Sequence, residues 1–175
     1  MYQIGDYVVY GGSGVCQVMA VGTPASSACD RHRAYYTLRP LASTETIYVP
    51  VDTRVSMRPV LTRQEADALI LQLPGLPECP VDTKNPQLRS HAYQASFHAN
   101  DSAELARLLK TIHHKDSDAR KAGRQPGKVD ERFRKRAEEL LHGELAVALG
   151  IPVGEVPAYI SRSISGKGAK TAKTQ

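Results

Sequence analysis

The sequence predicts an α+β protein, with a small, strongly bent five-stranded β-barrel at the N-terminus and an all-α domain after it. Three observations predict this. Short β-branched and aromatic runs separated by turn residues fill residues 1–58. After Pro59 the apolar period becomes helical. Between the two regimes, Leu73–Pro80 packs three prolines and a glycine into eight residues, too many for any regular element.

Taken in order, Asp6–Tyr10 reads as the first strand, Gly11–Gly14 as a turn, and Val15–Val21 as the second strand. Gly22–Arg33 is small and polar, suited to a long hairpin loop. Ala34–Leu38 and Thr46–Val49 are strands closed by Pro40 and Pro50, and Val55–Arg58 supplies a fifth. Thr62 and Glu65 fit a capping box before a short helix marked by Ala66, Ile70, Leu71 and Leu73. Asn85-Pro86 places a capping side chain before a proline at the first helical position, where the missing N–H is harmless. Asp101–Glu104 repeats the capping-box pattern, and Leu105, Leu108, Leu109 and Ile112 follow at i, i+3, i+4 and i+7. A long helix starts near Val129, buries Val129, Phe133, Ala137, Leu140, Leu141, Ala148 and Leu149, and stops at Gly150. Val156–Ile164 makes a last helix. The basic, small-residue segment 165–175 is expected to be disordered. The expected parts are therefore 1–58, a short helix and hinge at 59–80, a helical domain at 81–164, and a tail.

Of 175 residues, 41% are hydrophobic, enough for a core. No apolar run approaches ~18 residues, so no membrane span is expected. The start has no basic, apolar leader. Three cysteines without Cys-x-x-Cys spacing argue against a disulfide scaffold or zinc knuckle, and a reducing cytoplasm is the expected location. The net charge of +5 is unevenly placed: residues 1–80 sum to −1 and residues 81–175 to +6. That asymmetry suits a polyanion-facing second half, or else a solvated helical surface.

Chemical motifs are few. Gly11-Gly12-Ser13-Gly14 leads into a strand with no lysine nearby, so a turn is preferred over a phosphate loop. His113 and His114 are adjacent and point about 100° apart on a helix, which disfavours a shared metal ion. Cys16 reads as a small core residue, and Cys79 has no basic neighbour to activate it. No nucleophile elbow or paired-carboxylate pattern is legible, so an enzyme is not expected, and neither a cofactor nor a metal. The sharpest feature is basic. Lys128, Arg132 and Arg136 at i, i+4 and i+8 form one ridge, spaced ~6 Å per step, that can track phosphates or can form a salt-bridged face. No recognition helix with the Arg/Asn/Gln set that reads base edges is evident, so phosphate-dominated, non-specific contact is expected.

Ile4–Val18 (Ile-Gly-Asp-Tyr-Val-Val-Tyr-Gly-Gly-Ser-Gly-Val-Cys-Gln-Val) and Ile47–Pro50 resemble the opening module of the CarD-like family, shared with the transcription-repair coupling factor as its RNA-polymerase-interacting domain. Asn100–Ile112 and Glu138–Leu149 resemble helices of the same family, and the likeness covers roughly residues 1–164. The resemblance implies a Tudor/SH3-like barrel that docks on the β subunit of bacterial RNA polymerase by strand addition. Thr46, Ile47, Tyr48 and Val49 are then the docking edge, with Pro24 beside it and Tyr48 standing where an arginine often sits. It further implies a helical domain touching upstream promoter DNA through Pro86, Arg89, His91, Lys128, Arg132 and Arg136. Family members place a tryptophan wedge at the position of Pro86, whereas this chain has no tryptophan. The implied protein is a non-enzymatic bacterial transcription regulator that modulates open-complex stability and is monomeric when free. The alternatives are a polymerase-independent nucleic-acid-binding protein and a protein adaptor without DNA contact.

Overall fold

The computed structural model of the chain describes residues 1–81 and 84–171, the last five of these as backbone only. It divides into two units, Met1–Val60 and Leu61–Gln175. The class is α+β, as expected.

The first unit holds β1 (Tyr7–Tyr10), β2 (Val15–Gly22), β3 (Tyr35–Pro40), β4 (Ile47–Pro50) and β5 (Met57–Pro59). All pairs are antiparallel, in the order β4-β3-β2-β1-β5. The chain meanders through four strands, and β5 returns to pair with β1, Val9 opposite Arg58. Hydrogen bonds among the described residues do not join β5 to β4, so the sheet keeps two edges rather than closing as a ladder. Alternation selects the buried face: Val8, Cys16, Val18, Tyr36, Leu38 and Val49 form its core. A register shift between Val18 and Ala20 breaks that alternation, leaving Met19, Ala20 and Val21 exposed. Burial pushes the Cys16 thiol up to about 11, which makes it an inert core residue.

The second unit holds α1 (Arg63–Gln72), α2 (Pro86–His98), α3 (Ser102–Lys121), α4 (Lys128–Leu149) and α5 (Val156–Thr171). Helix α5 therefore runs into the segment from residue 165 expected to be disordered; residues 172–175 lie outside the described residues. Side-chain caps stand at the predicted starts of α1, α2 and α3. Thr62 and Glu65 form a full capping box on α1. Asp101 caps α3 through the Ala103 N–H at 2.9 Å, but Glu104 turns to Arg107 at 2.6 Å instead of reaching back. Asn100 links α2 to α3 at φ 49°, a left-handed conformation that asparagine tolerates better than most residues. Gly150 ends α4 at φ 66°, and the Ile151 N–H returns to the Ala146 carbonyl at 3.1 Å. Leu108, Ile112, Ala137, Leu145 and Ile70 are among the residues at the centre of the helical core. Within it lies Glu144, 2% exposed, accepting from the Leu61 N–H at 3.1 Å and the Ser102 hydroxyl at 2.6 Å. This buried carboxylate ties α4 to the segment before α1 and to the start of α3.

The expected hinge belongs to the helical unit. Leu61, Leu73, Leu76, Cys79 and Val81 pack on its core, so residues 61–81 are not a separate linker. Helix α3 clamps the segment from one face. Arg107 donates to the Pro77 carbonyl at 3.1 Å, and Lys110 to the Pro74 and Leu76 carbonyls at 2.7 Å each. The Thr111 hydroxyl accepts the Cys79 N–H at 2.8 Å, and Lys115 donates to the Val81 carbonyl at 2.7 Å. Proline removes backbone donors but leaves carbonyls, and those carbonyls are what α3 grips.

Candidate functional site

Each unit presents one surface built from residues the sequence singles out. In the sheet unit it is β4, which has β3 on one side and, among the described residues, no strand on the other. Ile47 and Val49 point into the core, with Val49 1% exposed, while Tyr48 points outward and is 39% exposed. Thr46 is exposed just before the strand. Ile47 and Val49 therefore offer a partner their backbone and not their side chains; Tyr48 and Thr46 offer both. Pro24 lies in the loop leaving β2. Arg33 and Asp52 brace the ends of β3 and β4 through a two-oxygen ion pair at 2.6 and 2.7 Å. The guanidinium holds the Asp52 carboxyl below its usual range.

In the helical unit, Pro86, His91 and Arg132 come together. They line a groove of about 360 Å³ between α2 and α4, with Gln87, Ser90, Gln94 and Val129. Pro86 is the first residue of α2, where Asn85 caps the Gln87 and Leu88 N–H groups at 2.9 and 3.4 Å. Arg132 donates to the Ser90 hydroxyl at 3.4 Å and lies 5.1 Å from the Phe133 ring centre. Lys128, Arg132 and Arg136 are exposed along α4 as the ridge requires, with Arg136 paired to Glu139 at 3.1 Å. A second cleft of about 360 Å³, unmarked in the sequence, has Lys84, Lys115 and Arg124 on its walls.

Arg89 is the exception among the expected DNA-facing residues. Its guanidinium reaches the Asp130 carboxylate at 3.1 Å, and Tyr93 donates its hydroxyl to the other Asp130 oxygen at 2.7 Å. Asp130 is 5% exposed, so this is a structural ion pair joining α2 to α4. Burial and the Asp130 carboxylate push the Tyr93 hydroxyl far above its ordinary value. Arg134 likewise turns toward Asp116 and Glu138, at 3.6 Å each. The adjacent histidines part as helix geometry demands: His113 lies 3.5 Å from Glu138, and His114 is 2.7 Å from Glu78. Among the described residues no cluster of three or more His, Cys, Asp or Glu is placed to hold a metal ion.

Gln87, Ser90 and Gln94 are the groove residues that sequence reasoning passes over. Uncharged polar residues on an exposed helix face read as ordinary solvated surface, and only the placement of α4 beside them makes a groove.

Residues 2–61 match the CarD-like/TRCF RID domain. The match falls on the sheet unit, and it supports a transcription-related role that involves binding RNA polymerase. No curated protein matches the chain. No single helix among the described residues is long and apolar enough to cross a membrane.

Proposed function

We propose that the protein is a bacterial transcription regulator that grips the RNA polymerase β subunit with β4 and brings its helical unit to upstream promoter DNA, altering open-complex stability. The observation that carries this is the bare margin of β4 in a polymerase-interacting domain. An edge strand pairs with a partner's sheet through its main chain, and its outward side chains select the partner. Here that selection falls to Tyr48 and Thr46. Holding polymerase raises the local concentration of the helical unit to roughly millimolar, so weak phosphate contacts from Lys128 and Arg132 suffice. A polymerase partner places the protein in the cytoplasm, and the free chain is a monomer without cofactor or catalytic residue.

The test is capture of polymerase β fragments by the full chain. Wild type retains them, Tyr48→Arg still does, and Tyr48→Glu releases them. Failure of wild type to capture any fragment removes the reading. Capture without DNA protection on a promoter would leave the adaptor alternative.

A further inference from the structure

The helical unit holds a larger cavity, of about 650 Å³, between α3, α4, α5 and the Leu73-Pro74 turn. That volume lies within the range of about 300–1,000 Å³ usual for small-molecule sites. Its apolar walls include Leu109, Leu141, Ile160 and Ile164, and no Phe, Tyr or Trp lines it among the described residues. The lining stretch of α3, from Ala106 to His113, runs about 10 Å along the helix axis. An aliphatic slot of that length suits an alkyl chain better than a ring system, which gains most from aromatic walls. The polar lining residues come from α3 and α4 alone. Lys110 is half-buried, and its ammonium donates to the Pro74 and Leu76 carbonyls at 2.7 Å each. Those acceptors are uncharged, no carboxylate pairs with Lys110 among the described residues, and an ammonium has a third N–H to give. Glu138 is the one carboxylate among the described lining residues, and Arg134 and His113 lie 3.6 and 3.5 Å from it. The half-buried His142 imidazole makes no hydrogen bond to another described residue.

We infer that this cavity is a binding site for a fatty acid, its alkyl chain along the aliphatic walls and its carboxylate on the Lys110 ammonium. Burying the chain supplies the affinity, about fourfold for each methylene taken out of water. Lys110 supplies the choice of head group. A half-buried cation that meets only carbonyl dipoles gains most from an anion, because attraction between charges strengthens as water is excluded. A carboxylate accepts its third N–H in a charge-assisted bond, an alcohol forgoes the charge, and an alkylammonium meets a like charge. Glu138 does not oppose the carboxylate unaided, since Arg134 and His113 offset it. Burial holds the His142 imidazole below its ordinary value, so it stands near pH 7 as a neutral hydrogen-bonding group on the polar side of the cavity. None of the lining residues belongs to β4 or to the ridge of Lys128, Arg132 and Arg136, so binding here requires neither polymerase nor DNA.

The experiment titrates the full chain with octanoate, decanoate and dodecanoate below their micelle-forming concentrations, and with decanol and decylammonium. One molecule of each acid should bind per chain, with affinity rising about fourfold per added methylene. Decanoate should bind about fivefold or more tighter than decanol, and decylammonium more weakly than either. Lys110→Met should bring decanoate down to the level of decanol while decanol itself is unchanged. Ile160→Trp, which fills the cavity from α5, should remove binding of both without lowering the thermal midpoint. No saturable binding of any acid, equal binding of decanoate and decanol by the wild type, or decanoate binding untouched by both variants overturns the inference. Should Lys110→Met lose both ligands because the turn it grips has moved, the His142 ring signals in the wild-type NMR spectrum decide: they should shift as decanoate is added, and unmoved signals overturn the inference.

Discussion

Arg89 and Asp130 show how a single pair decides between two roles for a cation. The Asp130 carboxylate is enclosed, with Arg89 on one oxygen and Tyr93 on the other. Arg89→Ala leaves that charge in the interior with one partner gone, which costs about 3 kcal/mol. The helical unit should unfold at lower urea, while the salt dependence of DNA binding by the folded protein stays the same; a flatter salt dependence would return Arg89 to the DNA surface. Nothing local marks the pair, because Asp130 is 41 positions away and sits in a run of charges that reads as solvent-facing. His142 gives a second test. Burial is the main cause holding its imidazole below the ordinary histidine value, with nearby His113 adding to the shift and Glu138 opposing it. The unfolded chain then binds its proton first, so stability should fall as pH drops from the ordinary value of about 6.5 toward the lower folded value, and level off below it. His142→Gln should flatten that stretch in a series of urea melts from pH 7.5 to 5.

Helix and strand positions were legible where short-range chemistry sets them. Thr62, Asn85 and Asp101 cap the helices the sequence places after them, and Gly150 stops α4, because a cap needs only its own few neighbours. The Pro-rich segment was legible as irregular but not as fixed. What fixes it comes from α3, at Arg107, Lys110, Thr111 and Lys115, more than 25 residues later. A broad-specificity protease should therefore cut between Gly22 and Arg33, which lack strand or helix between the strand ends, before it cuts at 73–81. Lys110→Met removes two of the bonds and should bring forward cleavage at 73–81; an unchanged order of cuts would mean the clamp contributes little. The groove on α2 was illegible for a related reason: its polar stripe is visible in the sequence, but the wall that α4 supplies is not.

Across the chain, charge asymmetry predicts a polyanion-facing half, but the tally overstates what a polyanion meets. Arg89, Arg107 and Lys110 are engaged by carboxylates or carbonyls, and Lys135 pairs with Glu131 at 3.1 Å. Lys128 and Arg132 remain on the ridge, and Arg136 pairs with Glu139 in an exposed ion pair of small worth. Replacing Lys128, Arg132 and Arg136 with alanine should lower the slope of log affinity against log salt, measured on promoter complexes, by about one for each phosphate left without its cation. An unaltered slope would place the DNA elsewhere, and the cleft lined by Lys84 and Arg124 would be the next candidate.

The same free border that suits β4 to a partner also exposes it to its own kind, since any bare sheet margin can zip onto another copy. Only four residues long and finished by Pro50, whose nitrogen carries no hydrogen, it has too few amides to seed a stack. Concentrated solutions of the chain should stay clear where a longer, proline-free fringe would gel.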